Sequence, residues 1–273
     1  MDRRLRFSAS YVAIIAAIIL SLFPFVWLLL TSIKPKALTF AIPPAWVFTP
    51  TLESYRQIFL ESPFVRYFMN SLIVAAGTTV VALSTGTLAA YAFARFKFAG
   101  KHTLQLLMLV PKVIPPVAVI IPLFVVFQNV NLVDSHLALI LSYLSFTIPI
   151  AVWMMIGFIR DVPTNIEESA IIDGANKWEV LTRVVMPVVA PGMAAAAILC
   201  FIYSWNEFLF AVILTGRTAK TAPVAITGFI TNRDILWGRI AAAGTAVLLP
   251  VFVFALSVQR HLVRGLSQGA VKG

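Results

Sequence analysis

Residues 7–33 read Phe-Ser-Ala-Ser-Tyr-Val-Ala-Ile-Ile-Ala-Ala-Ile-Ile-Leu-Ser-Leu-Phe-Pro-Phe-Val-Trp-Leu-Leu-Leu-Thr-Ser-Ile, without a single charged side chain. A helix needs roughly 20 apolar residues to cross the hydrocarbon core of a bilayer. This run is long enough to do so. The preceding Arg3, Arg4 and Arg6 give it the look of a signal-peptide start. A cleaved signal, however, has an apolar core of only ~7–15 residues. The run is therefore predicted to be an uncleaved first helix, kinked where Pro24 removes a backbone donor.

The same pattern recurs along the chain. Tyr67–Ala94, Ser135–Ile159 and Ile240–Gln259 are uncharged, Thr103–Val133 carries only Lys112, and Val184–Gly216 carries only Glu207. The pattern predicts an all-α, polytopic membrane protein. Its six transmembrane helices fall at about residues 9–32, 68–94, 104–128, 136–159, 188–214 and 240–260, in one transmembrane domain over 1–273. An even number of spans puts both termini on one side. Composition agrees: 60% of residues are hydrophobic and 12% charged, against ~25% charged in a soluble domain.

The formal charge is +10. A nucleic-acid binder would gather its basic residues on one face; here they sit between apolar runs, as orientation signals do. With the N-terminus inside the cell, the inner segments hold 12 Lys and Arg residues and the outer ones 8. The short loop Arg95–Lys101 shows the bias most sharply. Both termini are thus expected to be cytoplasmic. In this arrangement the loop Lys34–Arg66 is external, with a short surface helix at Thr51–Phe59, where Tyr55, Ile58 and Phe59 recur at helical spacing.

Metal and disulfide chemistry find no support in the pattern. Cys200 is the lone cysteine. His102, His136 and His261 lie far apart, near the ends of apolar runs, and read as interfacial or solvated side chains.

The inner loop 160–187 is the most polar internal stretch. It holds Asp161, Glu167, Glu168, Asp173 and Glu179, five of the eleven acidic residues. It reads as two short helices with a break. Thr164 or Asn165 can cap the first, whose first turn carries Glu167 and Glu168, where the helix dipole favours anions. Gly174 can take the left-handed conformation that ends it. Ala170 and Ala175 are small enough to admit a partner, and Pro187 restarts the chain into the fifth span. On physics alone, a solvated connector and a docking element are both open.

Glu168-Ser169-Ala170, then Asp173-Gly174-Ala175, then Met186-Pro187 resembles the cytoplasmic EAA-type loop of bacterial ABC importer permeases. Ser169 stands where alanine is usual, a small-for-small change. Three further stretches narrow the resemblance to the carbohydrate-type, maltose-transporter class: Ala90-Tyr-Ala-Phe-Ala-Arg-Phe-Lys-Phe-Ala-Gly-Lys101, Trp205-Asn-Glu-Phe-Leu-Phe-Ala211, and the tail Gly265-Leu-Ser-Gln-Gly-Ala-Val-Lys-Gly273.

The resemblance implies a permease subunit of an ATP-driven importer for a sugar-like solute in the bacterial cytoplasmic membrane. It implies four kinds of neighbour besides membrane lipid: a second, commonly different, permease, two cytoplasmic ATPase subunits, an external solute-binding protein and the solute. Nucleic acid is not among them. ATP and magnesium are expected in the ATPase subunits, since this chain has no glycine-rich loop ending in Gly-Lys-Ser/Thr; it is not expected to be an enzyme or to bind a cofactor itself.

Coupling to the ATPase is assigned to Glu167, Glu168, Ser169, Ala170, Asp173, Gly174 and Ala175, with Glu168 facing a basic group on the partner. A tail contact is assigned to Gln268, Gly269 and Lys272. Lys112, Tyr143, Tyr203, Asn206 and Glu207 are the candidates for the translocation path, because a charge at membrane depth must face protein or water. Lys112 can equally snorkel to the interface or be neutralised by a carbonyl or by Glu207. A secondary transporter driven by an ion gradient is the rival reading; it would leave the docking-type loop unexplained. An intramembrane enzyme would need a nucleophile with a base, or a metal cluster, at membrane depth.

Overall fold

The structure is a computed structural model. It describes residues 2–39, 41–232 and 234–269, with side chains from Tyr11 to Phe254, other than Phe40 and Arg233, and at Leu256. The described residues are helical almost throughout, with one isolated bridge between Ile230 and Ile235. Among the described residues, five helices are long and apolar enough to cross a membrane, or six if one bent pair counts as a single span. The chain forms two compact units, residues 67–224 with 250–273, and residues 1–66 with 225–249.

The larger unit is built around α7 (His136–Arg160), the span with the greatest buried share. Against it packs α10 (Met186–Trp205). Small residues allow the approach, as they do generally between membrane helices. A Cβ on Gly86 would come within 2.6 Å of the Ala151 Cβ, and one on Gly192 would collide with the Phe158 ring. Gly86 lies on α3 (Phe64–Arg95), which passes unbroken through its apolar run. Ser135 caps α7 by accepting from the Ala138 N–H at 3.1 Å.

The predicted third span is not one helix. α4 (Lys101–Leu107) and α5 (Val110–Val113) are followed, after a 93° bend, by α6 (Pro116–Asn129). Ile114 and Pro115 each precede a proline. The following ring pushes such residues out of the α region, and their ψ angles are 127° and 129°.

The fifth run also differs from its predicted bounds of 188–214. It starts earlier, with α9 (Lys177–Glu179), and runs through a π-turn at Val180–Val185 into α10. Pro187 therefore does not restart the chain. It sits within a continuous helix, just after the π-turn, where a missing N–H must be absorbed by a change of hydrogen-bond register. The helix ends at Trp205, and a separate α11 spans Leu209–Leu214.

The smaller unit contains α1 (Asp2–Ser32), α2 (Glu53–Leu60) and the first part of α13 (Trp237–Gly269). From Tyr11 to Leu30 no residue of this helix is buried within the chain. Its far end is anchored where the Ser32 hydroxyl meets that of Tyr55 at 2.8 Å and the Lys34 ammonium lies over the Trp27 and Phe48 rings. Lys36 pairs with Asp234 at 2.6 Å, and the Arg239 Nε donates to the Gln57 side-chain oxygen at 2.7 Å. The surface helix predicted at Thr51–Phe59 is α2.

Candidate coupling and translocation site

The loop after α7 is two short helices with a break. α8 spans Thr164–Ile172, and α9 opens the next helix. The break is a left-handed glycine end. Gly174 has φ +93°, its N–H donates to the Ile171 carbonyl at 3.0 Å, and the Ala175 N–H donates to the Ala170 carbonyl at 2.9 Å. These two bonds satisfy carbonyls that a helix end leaves open. Asn176 then caps α9, with Glu179 returning a bond to the Asn176 N–H at 3.0 Å. The capping expected of Thr164 or Asn165 is not formed. Pro163 occupies the cap position, and its ring presets the entry to the helix.

The seven residues assigned to coupling divide into two faces. Glu168, Ser169, Asp173 and Gly174 are exposed. Glu167 is 6% exposed. Ala170 and Ala175, expected to admit a partner, are half-buried and pack in part against the core cluster that holds Ile159, Val162 and Val180. Ala170 shares the inward side of α8 with Glu167, and Ala175 follows the Gly174 break.

Ile171, Ile172 and Trp178, which sequence reasoning missed, stand out in the open, Ile172 at 85% exposure and Trp178 at 61%. An apolar cluster of this kind beside a rim of acids marks an interaction surface. The signal was present in the sequence as two isoleucines next to the glycine break.

Glu167 turns inward to meet α3. Its Oε1 accepts from the Arg95 Nε at 2.6 Å, and its Oε2 accepts from the Tyr91 hydroxyl at 3.0 Å. The same guanidinium donates to the Ile159 and Val162 carbonyls, each at 2.7 Å. One arginine thereby joins the ends of α3 and α7 to the first turn of α8.

Of the five candidate path residues, Lys112 lies against Tyr203 and Tyr143 lies near Glu207, while Asn206 bonds within its own helix. Lys112, on the short α5, holds its ammonium 5.6 Å from the centre of the Tyr203 ring. Both residues are exposed. Lys112 is not neutralised by Glu207, whose carboxylate is committed to backbone. Glu207 accepts from the N–H groups of Phe210 at 3.0 Å and Ala211 at 3.2 Å, capping α11. Tyr143 is fully buried against the Phe146 and Phe210 rings. Its hydroxyl is within electrostatic reach of Glu207 but forms no well-aligned hydrogen bond. Asn206 is exposed and donates back to the Ile202 carbonyl of its own helix at 2.9 Å.

A further polar network escaped the sequence reading. Asp134 has φ +60°, and its carboxylate accepts backbone N–H groups from four consecutive residues, Gly216, Arg217, Thr218 and Ala219, at 2.9–3.1 Å. Asn70 reinforces this loop by donating to the Thr218 and Lys220 carbonyls and by meeting His136 Nε2 at 2.8 Å. Of the three histidines read as interfacial or solvated, His136 is thus held by a side-chain partner.

Partial burial pushes the Asp134 carboxyl up, but the N–H bonds of Ala219, Thr218, Gly216 and Arg217 outweigh it and hold the pKa at about 2. The unfolded value is ~3.9, so this stabilisation is present above about pH 4 and is lost as pH falls toward 2. Asp134→Asn is expected to cost about 2 kcal/mol at neutral pH, the scale of a hydrogen bond to a charged group. It should also flatten the fall in melting temperature between about pH 4 and pH 2, measured by fluorescence unfolding in detergent. A wild-type pH profile in the variant would count against the clasp.

Residues 82–268 match the family described as binding-protein-dependent transport system inner membrane component. The chain belongs to that family. The match covers the C-terminal part of α3, the break between α5 and α6, the coupling-type loop and α10, so these elements are those of an inner-membrane permease.

Two relatives match this permease over nearly its whole length. The trehalose transport system permease protein SugB of Mycobacterium tuberculosis is 37% identical, over 97% of this chain and 98% of the relative. The trehalose/maltose transport system permease protein MalG of Thermococcus litoralis is 34% identical, over 96% and 95%. Among solved structures, a chain of a bacterial ABC transporter involved in the import of the acidic polysaccharide alginate superposes with a TM-score of 0.77. That match covers 95% of this chain and 98% of the other at 20% identity, which supports the fold.

Proposed function

We propose that this permease carries a sugar-like solute across the bacterial cytoplasmic membrane, with both termini on the cytoplasmic side. The observation that carries this reading is the near-full-length match to permeases named for trehalose and maltose. Two separate ATPase subunits bind ATP and magnesium and dock on this chain's loop 160–187 and on the equivalent loop of a second permease. An external solute-binding protein delivers the sugar.

Glu168, Ser169, Asp173 and Gly174 form the polar side of the docking face, and Ile171, Ile172 and Trp178 its apolar side. The tail residues Gln268, Gly269 and Lys272, whose side chains lie outside the described residues, add a second contact with the ATPase pair.

The path runs past the break between α5 and α6, where prolines free backbone carbonyls toward the interior. Lys112 and Tyr203 line it. An aromatic face suits the C–H surface of a sugar, and the ammonium suits its hydroxyl or acidic groups. Tyr143, Asn206 and Glu207 shape the wall behind them.

The test is uptake of labelled trehalose or maltose by proteoliposomes holding the assembled transporter, its binding protein and internal ATP. Import should need all components. Lys112→Met and Tyr203→Ala should each lower import about threefold, the scale of losing one exposed cation–ring contact, while assembly and basal ATP hydrolysis persist. Import driven by an ion gradient without ATP would instead support a secondary transporter.

A further inference from the structure

We propose that Arg95, Glu167 and Tyr91 are positioning residues that carry motion of the docked loop into α3, a role that rests on the coupling function proposed for that loop. The covalent chain explains how α8 can move its neighbours α7 and α10. It does not explain how α3 follows, because Arg95 and Glu167 are 72 residues apart.

The geometry supplies the missing link. Arg95 and Tyr91 sit one turn apart on α3, and each takes a different oxygen of the same carboxylate. A single contact would let α3 pivot about its own axis. Two contacts four residues apart hold its rotation as well as its position. The guanidinium also spans the Ile159 and Val162 carbonyls at the end of α7. Its planar fork fixes those directions relative to one another, which the single ammonium of a lysine cannot do.

The pair is sheltered, with side-chain exposures of 12% for Arg95 and 8% for Glu167. Salt and water therefore screen it less than a surface pair. Glu168, the neighbouring acid, is exposed. The two adjacent glutamates thus do different jobs: Glu168 faces the partner, and Glu167 passes the load inward.

The experiment uses the complete transporter in proteoliposomes and reads solute imported per ATP hydrolysed. Glu167→Gln removes the charge with little change of shape. Tyr91→Phe leaves the ion pair whole and removes only the rotational lock, so it guards against loss of folding in the first variant. Both should copurify with the ATPase subunit and hydrolyse ATP at near wild-type rates. The ratio should fall about tenfold in Glu167→Gln and about threefold in Tyr91→Phe, within the range seen for mutations along coupled networks. Arg95→Lys should lie between them.

An unchanged ratio in Glu167→Gln would overturn the brace, as would an equal loss of assembly and transport in both variants. Absence of any ATPase subunit from the wild-type complex would overturn the coupling function itself.

Discussion

Ile172→Asp is expected to strip the ATPase subunit from the purified complex and to abolish import. Ile172 is 85% exposed on the last turn of α8. A side chain this open contributes little to folding, and substitutions at such positions usually stay within about 0.5 kcal/mol. Its value lies in what it meets. Truncating an apolar anchor at the centre of an interface costs about 2 kcal/mol or more, roughly thirtyfold in affinity. An aspartate there adds the cost of burying an unpaired charge. Copurification and import should both drop below detection, while the variant itself melts like the wild type. Ile172→Ala should give the milder, thirtyfold loss. Normal copurification of the aspartate variant would place the docking face elsewhere. Gly174, two residues on, limits what the loop tolerates for another reason: at φ +93° a residue with a Cβ pays about 1–2 kcal/mol.

Glu207→Leu should be the most damaging single change within the apolar spans. The carboxylate is the cap for the Phe210 and Ala211 N–H groups. Glu207 follows directly on the span that ends at Trp205, and where water cannot replace its carboxylate each orphaned donor costs several kcal/mol. Most of the variant should aggregate or be degraded, read as loss of the monodisperse peak in mild detergent. Glu207→Gln keeps one acceptor oxygen and should retain a measurable folded fraction. Wild-type yields of the leucine variant would show that α11 does not depend on this cap.

Features that depend on near neighbours were legible in the sequence. The glycine break at 174 follows from a short helix that must stop, and the interruption near Pro115 from two adjacent prolines. The bend of 93° was not legible, because prolines announce a break but not its angle. The break after Trp205 was hidden for a different reason. Glu207 counted as a stray charge within a helix, whereas it is the group that ends one helix and starts another.

Long-range pairing was the main blind spot. Nothing near Glu167 marks it as different from Glu168. Its partners Tyr91 and Arg95 are more than 70 residues away. Asp134 likewise carries no mark in the sequence, since its partners are all backbone N–H groups from residues 216–219. Backbone donors have no letter in a sequence. The exposed isoleucines of α8 are adjacent in sequence, but which face of a nine-residue helix stays open depends on where Glu167 is held.

The composition of the smaller unit sets a schedule for synthesis. Its two parts, residues 1–66 and 225–249, are separated by the 158 residues from 67 to 224. At ~5–20 residues per second, a ribosome needs roughly 10–30 s to make that interval. For all that time Gln57 has no Arg239, and Lys36 has no Asp234. The first helix must therefore survive in the bilayer alone. Its uncharged, largely apolar run from Tyr11 to Ser32 lets it do so, while a half-polar helix would be left waiting with unmet groups in lipid. Quality control in the cell thus has its widest opportunity before residue 225 emerges, and a polar substitution on α1 would be felt there, at insertion, more than in the finished transporter.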